Sequence, residues 1–322
     1  MSKAILTLQE AILHFSSVDN CNTYMVSSRW PDGKIACPHC GSDNVSYLPN
    51  AKLFKCYEKH EKQKFSLKVG TIFEDSPISL SKWLPVMWMV TNCKNGVSSY
   101  EIHRAIGVTQ KTAWFMLQRC RLALQDNNGG KLGGDVEVDE TFIGGKARNM
   151  HKDKRDQKIK GRGPMGKAIV AAVLERGGRV RAKVIGKRKK ADLQSLVRDN
   201  VEAGSALYSD ALRSYDGLAA DYEHKVVDHA VEYVRENVHT NGMENFWSLL
   251  KRGINGTYVS VEPFHLFRYV DEQAFRFNTR LDADGKQLND GARFDIAMKQ
   301  ILGKRLTYKG LIGESEMEPQ TT

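Results

Sequence analysis

Three acidic side chains in the second half of the chain stand where separate elements are predicted to begin or end. Asp139 lies in GGDVEVDETFIGG and Asp210 in SALYSDALRSY, and each closes a run with the pattern of a β-strand. Glu244, in HTNGMENFWSLLKR, opens a run with the pattern of an amphipathic helix. Mg²⁺, or Mn²⁺ in its place, takes oxygen ligands and keeps several waters, so a few carboxylates suffice. Two such ions about 3.5–4 Å apart can activate an attacking oxygen and stabilise a leaving one in phosphoryl transfer.

The first of these acids belongs to an alternating acidic strand. Asp135, Glu137 and Asp139 are two residues apart, so their side chains share one face. A buried acidic face is costly unless its carboxylates are paired or coordinate a metal. Alternation does not decide which of the three binds. We select Asp139, which ends the run beside Glu140, and we expect Lys251, two helical turns after Glu244, to hold a phosphate near the metals.

A second group of metal ligands is predicted near the N-terminus. Cys37 and Cys40 form a CPHC turn followed by glycine, and Cys56 lies sixteen residues beyond Cys40. Zn²⁺ prefers four sulfur or nitrogen ligands in a tetrahedron, and His60 is the natural fourth ligand where a cysteine is missing. The alternative is a single CxxC turn with Cys56 buried separately. We expect a small Cys3His zinc ribbon that the metal folds.

The segment from Gly96 to Arg119 has the pattern of two short helices separated by a glycine. Ser98 and Thr109 are candidate helix caps, and Gly107 permits the sharp turn between the helices. This is the pattern of a helix-turn-helix, although any helical hairpin with a glycine turn can resemble it. The second helix would present its polar residues to the major groove of DNA. The DNA-binding candidates are Thr109, Gln110, Lys111 and Arg119, with Lys187 and Arg188 added from the basic run KRKK.

Composition favours a polyanionic partner inside the cell. The 322 residues carry a formal charge of +10, and 41% of them are hydrophobic. A basic surface of this kind attracts nucleic acid, although a soluble enzyme can also be basic. No run approaches the roughly 20 apolar residues of a membrane helix, and the N-terminus lacks the pattern of a signal peptide. Six cysteines in such a chain do not suggest a disulfide framework. We expect a cytoplasmic, nucleoid-associated protein with no membrane partner.

The elements after the glycine-rich stretch near residue 130 predict a multidomain α/β protein. Strands at 168–174, 180–185, 206–210 and 225–227 follow the acidic strand, with helices near 191–201 and 211–218 and a last helix carrying Glu244. The order β-β-β-α-β-α-β-α is the layout of an RNase H-like mixed sheet. The predicted divisions are a helical segment (1–25), a zinc ribbon (26–76), a helix-turn-helix domain (77–127), an RNase H-like catalytic domain (133–282) and a C-terminal tail (283–322).

The motifs in combination resemble one family. The segments CPHCG, VGTIFEDS, GVTQKTAWFMLQR, VDETFIGGK, YSDALRSY, HTNGMENFWSLLKRGINGTY and YVDEQAFRFNTR resemble bacterial insertion-sequence transposases of the Merlin/ISXO-like group. The resemblance covers about residues 20 to 280. It implies a zinc ribbon, a helix-turn-helix and a DDE-type catalytic domain in which Asp139, Asp210 and Glu244 bind the metals and Lys251 assists. Some relatives use asparagine as the third ligand, so Asn241 and Asn245 are alternatives or additions to Glu244.

We therefore expect a DNA transposase that acts on double-stranded DNA, namely the terminal inverted repeats of its own element and a target. Joining two ends requires that they be brought together, so a homo-oligomer is expected on the DNA. Two rival interpretations are a zinc-ribbon and helix-turn-helix regulator with an inactive RNase H-like domain, and a structure-selective nuclease of the same fold.

Overall fold

The computed structural model describes residues 5–125, 129–145, 151–158, 166–210, 212–227, 240–282 and 284–313. The chain divides into two compact units. The first unit contains Met1–Gln125 together with Asp282–Thr322, and the second contains Asp126–Leu281. No helix in these described ranges is both long enough and apolar enough to cross a membrane.

The first unit begins with two helices and a small antiparallel sheet. Thr7 and Glu10 form a reciprocal capping box that starts the first helix. The strands pair in the order β1-β2-β3, so that Phe54 and Phe65 lie side by side on the buried face. The elements are α1 (Leu8–Phe15), α2 (Val18–Arg29), β1 (Val45–Leu48), β2 (Leu53–Cys56) and β3 (Lys64–Phe65).

Three further helices follow: α3 (Leu80–Asn92), α4 (Ser99–Ile106) and α5 (Gln110–Ala123). The predicted caps are confirmed, because Ser98 forms a capping box with Glu101 and Thr109 accepts the backbone N–H of Thr112. Gly107 ends α4 with φ 63°, a left-handed conformation in which a side chain would be strained. Helix α5 packs against both α4 and α3.

Residues 284–313, which were predicted to belong to a C-terminal tail, pack within this first unit. Helices α10 (Asp290–Lys299) and α11 (Tyr308–Leu311) lie in this segment, and α10 packs on α3 and α2. Phe294 is 1% exposed and lies against the rings of Phe15, Tyr24 and Trp88. The sequence interpretation missed this packing because the segment has no strong helical period of its own.

The second unit contains a five-stranded mixed sheet of order β6-β5-β4-β7-β8. Strand β4 is antiparallel to β5 and parallel to β7, and this mixed sheet is consistent with the expected RNase H-like architecture. The predicted bounds of β6 and β7 are confirmed. The strands are β4 (Asp135–Ile143), β5 (Ala168–Glu175), β6 (Val180–Ile185), β7 (Ala206–Asp210) and β8 (Glu223–Val227).

One predicted element of this unit is wrong. In place of an α-helix at 211–218, of which Ala211 lies outside the described residues, the chain forms two 3₁₀ turns, Arg213–Tyr215 and Leu218–Ala220. Asp210 accepts the backbone N–H of Leu212 at 3.1 Å, and this local hydrogen bond competes with a helical one. Gly217, with φ 95°, then interrupts the helical backbone.

Helices cover both faces of the sheet. One face packs on α7 (Lys190–Asn200) through a core that includes Val138 and Leu193. The other face packs on α8 (Asn241–Arg252) and α9 (Leu266–Asn278). A short helix, α6 (Lys152–Lys158), lies between β4 and β5 in the chain.

Candidate metal sites and their surroundings

The zinc-ribbon ligands converge as predicted. Cys37, Cys40, Cys56 and His60 each offer one ligand atom, and all four atoms lie within 4.8 Å of one another. The Sγ of Cys37 is 3.6 Å from Nε2 of His60, and the Sγ atoms of Cys40 and Cys56 are also 3.6 Å apart. Tetrahedral zinc with bonds of about 2.3 Å to sulfur requires ligand atoms about 3.8 Å apart. The group therefore fits Zn²⁺ with His60 as the fourth ligand.

The thiols of this group differ in how readily they ionise. The pKa of Cys37 is lowered: burial opposes ionisation, but hydrogen bonds from the backbone of His39 and Cys40 and from neighbouring thiols outweigh it. Burial raises the pKa of Cys56 to about 11, and the nearby Cys40 and Cys37 raise it further against a backbone hydrogen bond from Glu58. Without a cation the cluster therefore retains protons that Zn²⁺ displaces on binding.

The two predicted catalytic aspartates lie on adjoining strands. Glu137 of β4 pairs with Tyr208 of β7 in parallel register. Two residues farther along each strand are Asp139 and Asp210, and side chains two residues apart on a strand share a face. The charge of Asp210 acts on the carboxyl of Asp139. The two aspartates are therefore electrostatic neighbours at the same end of the sheet.

Asp139 is partly buried, and its carboxylate has two fixed hydrogen-bond donors. Its Oδ2 accepts the indole N–H of Trp247 at 2.9 Å, and its Oδ1 accepts the backbone N–H of Glu140 at 2.8 Å. Burial raises the pKa of Asp139 to about 6, the two donors lower it, and the charges of Glu140 and Asp210 raise it. A partly buried carboxylate that two uncharged donors hold in place has the properties of a cation ligand.

Glu140 points to the opposite face of the sheet and belongs to a different network. Its carboxylate accepts the hydroxyl of Tyr215 at 2.8 Å and pairs with Arg188 at 2.9 Å. Burial raises the pKa of Glu140, the Tyr215 hydrogen bond lowers it and the charge of Asp210 raises it. Arg188, predicted to bind DNA, is therefore an ion-pair partner at the end of the sheet where the aspartates emerge, with 41% of its side chain exposed.

Glu244 and Lys251 lie on one side of α8. At about 100° per residue they lie within about 20° of each other around the helix, and both lie within about 60° of Trp247. Trp247 is the residue of α8 that contacts Asp139. Both Glu244 and Lys251 are exposed. The predicted third acid and the predicted lysine therefore share a side of α8.

The two asparagines occupy other sides of the helix. Asn245 lies about 160° around α8 from Trp247. It lines a cleft with Gly242, Phe277 and Arg280. Asn241, the first residue of α8, is exposed and lies about 120° from Trp247. The helix geometry therefore favours Glu244 over either asparagine as a neighbour of Asp139.

The acids are spread more widely than the zinc ligands. Within the part of the chain that the structure describes, the Cys3His group alone brings three or more ligand atoms within 4.8 Å of one another. Asp139, Asp210 and Glu244 therefore do not surround one common point that closely. A pair of ions about 3.5–4 Å apart with bonds of about 2.1 Å spans carboxylates up to about 8 Å apart.

The residues predicted to read DNA fall into two groups. Lys111 and Lys187 are exposed, Thr109 caps α5, and Gln110 donates to the hydroxyl of Ser99 at 2.9 Å. Arg119 is only 4% exposed, and its guanidinium donates to the carbonyls of Leu306 and Glu74. It supports the packing of the first unit and does not reach a groove in this structure. The prediction for Arg119 therefore has to be corrected.

Two contacts of this site were not predicted. Trp247 was expected to be a core residue, and it also orients Asp139. Glu137 was left undecided among the alternating acids, and it is bound by Arg176 and by the backbone of Met243. The alternation of acids in the sequence was the available signal, but it does not reveal which partners fold onto the strand.

Comparisons with known proteins find two transposase-family domains in this chain. The family described as ISXO2-like transposase domain matches residues 131–278, and the transposase zinc-ribbon domain matches residues 16–60. An uncharacterized protein in transposable element ISH50 of Halobacterium salinarum is 28% identical over 252 residues, 75% of this chain and 84% of that protein. An uncharacterized transposase-like protein of Haemophilus influenzae is 29% identical over 96 residues, 30% of this chain and 77% of that protein.

Among solved structures, a chain of the simian T-cell lymphotropic virus intasome in complex with PP2A regulatory subunit B56 gamma aligns with 62% of this chain and 68% of its own length. The TM-score is 0.28 and the identity is 12%, so this similarity supports no conclusion here.

Proposed function

Because the chain belongs to the ISXO2-like transposase family, we propose that it is a DNA transposase that cuts the ends of its element and joins them to a target. The observation that supports this function most is that Asp139 and Asp210 stand on strands that pair in parallel, while α8, the helix of Glu244, contacts Asp139 through Trp247. Carboxylates from two strands and a helix are the oxygen ligands that a pair of hard cations requires.

The chain's own residues have defined roles in this reaction. Asp139, Asp210 and Glu244 would hold Mg²⁺ or Mn²⁺, which supplies Lewis acidity at the scissile phosphate when bound. Trp247 fixes the orientation of Asp139, and Lys251, about 10 Å along α8 from Glu244, binds a phosphate of the DNA. Hydrolysis of one phosphodiester releases a 3′-hydroxyl, which then displaces a 3′-oxygen from a phosphodiester of the target. One P–O bond forms for each that breaks, and no protein–DNA bond is needed.

The outer face of the ribbon sheet is suited to the DNA backbone. Ser46, Lys55 and Lys64 are paired across the three strands, on the face opposite Phe54 and Phe65. The hydroxyl of Tyr57 lies 3.0 Å from that of Ser46, and the ammonium of Lys55 lies 5.0 Å from the centre of the Tyr57 ring. Neutralising phosphates releases counterions, so this face and Lys111 of α5 give binding that weakens with salt.

The test is a joining assay with purified protein. Duplexes with the terminal inverted repeats of the element, a supercoiled target plasmid and Mg²⁺ are incubated together, and joined products are separated on a denaturing gel. The wild type is expected to join ends, whereas Asp139→Asn and Asp210→Asn abolish joining and leave end binding intact. Asp135→Asn, which changes an exposed acid on the same strand, is the matched control and is expected to remain active.

The other outcomes identify the rival functions. End binding that is unchanged by Asp139→Asn, with no cutting by the wild type, identifies a DNA-binding regulator. Cutting of branched duplexes that lack the repeats, without joining, identifies a structure-selective nuclease. Because joining requires two ends in one complex, we also propose a homo-oligomer on the DNA, which light scattering of the end-bound protein measures.

A further inference from the structure

Glu137 is a fully buried acid that is not among the proposed metal ligands. It is 1% exposed and lies on β4, two residues before Asp139 and on the same face. A buried carboxylate must be paired or hydrogen bonded. Arg176, just after β5, and Met243 of α8 both bond to it, so the reason for an acid at this position lies in the two parts of the second unit that it joins.

One oxygen of Glu137 caps helix α8 from the sheet. Its Oε2 accepts the backbone N–H of Met243 at 2.8 Å. Met243 is the third residue of α8, where a backbone N–H has no partner inside the helix. Thr240, which precedes α8, supplies no side-chain cap. The negative carboxylate also lies at the positive end of the helix dipole.

The other oxygen ties the same carboxylate to the sheet. Its Oε1 accepts Nε of Arg176 at 3.0 Å, and the guanidinium of Arg176 lies 3.9 Å from the centre of the Tyr208 ring. Arg176 follows β5, and Tyr208 belongs to β7. Groups on both sides of β4 therefore hold the carboxylate of Glu137 in place independently of its contact with the helix.

The helix approaches so closely that a side chain at its second residue would require a neighbour to move by a few tenths of an ångström. A Cβ built on Gly242 would lie 3.0 Å from Oε2 of Glu137 and 3.0 Å from Cδ2 of Leu174. Contacts this short force a neighbour to shift, and one of these neighbours is the capping oxygen itself. The close approach of α8 to β4 and the cap on the Met243 N–H therefore involve the same oxygen of Glu137.

We propose that Glu137 is a positioning residue that sets how far α8 extends along β4 and so places Glu244 beside Asp139. Glu244 is the residue directly after the capped Met243, and Trp247 makes the second contact with the strand, at Asp139. The two contacts are four residues apart on the helix and two apart on the strand, about 6–7 Å on each. This assignment rests on the proposed function only in the role that it gives Glu244, that of a metal ligand.

The first experiment measures the cap without any catalytic readout. Hydrogen–deuterium exchange is followed by mass spectrometry on the full chain in chelator, for the wild type, Glu137→Ala, Glu137→Gln and the control Asp135→Asn. The start of α8 is expected to exchange at least about tenfold faster in Glu137→Ala, and less so in Glu137→Gln, whose amide oxygen can accept the Met243 N–H. Unchanged exchange there in both Glu137 variants overturns the assignment, and Glu137→Gln decides if Glu137→Ala does not fold.

The second experiment separates positioning from helix stability. Gly242→Ala keeps the carboxylate and improves helix propensity, so a purely local effect would stabilise α8. If the added methyl group displaces the helix instead, Gly242→Ala lowers the rate of end cutting and leaves the affinity for end DNA unchanged. A cutting rate equal to that of the wild type in Gly242→Ala contradicts positioning.

A double-mutant cycle tests the link to the third acid. The affinity for Mn²⁺ alone, measured by electron paramagnetic resonance, is compared in Glu137→Ala, Glu244→Gln and the double variant. If Glu137 acts through Glu244, the double variant binds Mn²⁺ no more weakly than Glu244→Gln does. Additive losses overturn the assignment. A wild type that neither binds Mn²⁺ nor cuts ends would refute the transposase function, and the exchange experiment would still decide the role of the cap.

Discussion

Replacing Asp139 by asparagine is expected to stabilise the second unit at neutral pH. The pKa of Asp139 is about 6 in the folded protein, chiefly because of burial, whereas an ordinary aspartate carboxyl has a pKa of 3.8. A shift of about two units corresponds to about 3 kcal/mol between the two protonation states. Because the folded pKa is the higher one, the folded state binds the proton more tightly. Stability is therefore lost as pH rises from about 4 to 6, and the loss is complete above 6.

The asparagine variant lacks this loss because it has no charge to bury. Its amide oxygen can still accept one of the two hydrogen bonds that Asp139 accepts, so about 1 kcal/mol of the gain is offset. The net gain at pH 8 is about 2 kcal/mol, or a rise of about 4–8 °C in the melting temperature of a unit of this size. At pH 4 the gain disappears and the variant becomes equal to the wild type or slightly less stable.

Calorimetry in chelator at pH 4 and pH 8 measures the unfolding transition of each of the two units. Asp135→Asn is the control, and it should change the free energy of unfolding by less than about 0.5 kcal/mol. Adding Mn²⁺ at pH 8 should raise the melting temperature of the wild type and narrow its difference from Asp139→Asn, since a ligand that binds only the folded state stabilises it. An Asp139→Asn protein that is less stable than the wild type at pH 8 would refute the reasoning. So would a gain in stability that is the same at pH 4 and at pH 8.

The other predictions concern the third acid, the ribbon and the C-terminal helix. Glu244→Gln should lower the rate of end cutting by at least about 100-fold, since even residues that only support metal ligands change activity by 10–100-fold. Asn245→Ala should keep the cutting rate within about twofold of the wild type. If a gel assay shows the larger loss in Asn245→Ala, the asparagine is the ligand. His60→Ala should lose zinc during dialysis, measured by mass spectrometry of the metal, whereas His39→Ala, outside the ligand set, should keep it; equal retention would exclude His60. Phe294→Ala should destabilise the first unit by about 3–5 kcal/mol in the same calorimetric scans, and an unchanged first transition would show that α10 does not support it.

The elements that the sequence predicted well are those set by local chemistry. The caps at Ser98 and Thr109 depend on residues three positions away, and the strand ends at Asp210 and Ile185 follow from short runs of alternating or apolar residues. The CPHC turn brings two ligands together within four residues, and Cys56 and His60 required an inference over distance. Local hydrogen bonds and side-chain period were sufficient at each of these positions.

What the sequence did not predict depends on partners far away in the chain. Arg119 looked like an exposed cation on a recognition helix, but a carbonyl 187 residues later, at Leu306, buries it. Glu137 looked like one of three equivalent acids, and it is distinguished by Arg176, 39 residues away, and by Met243, 106 residues away. Neither contact leaves a periodic signal, because each joins elements whose packing is decided by the whole core.

The return of α10 to the N-terminal unit has a consequence for the order in which the protein is made. Ribosomes add residues at about 5–20 per second and N-terminal domains commonly fold first. Here Phe294, which fills the space among Phe15, Tyr24 and Trp88, is synthesised after the whole mixed sheet. The core of the first unit is therefore completed only after the second unit has been synthesised, so its folding must wait for a segment made about 200 residues after Trp88.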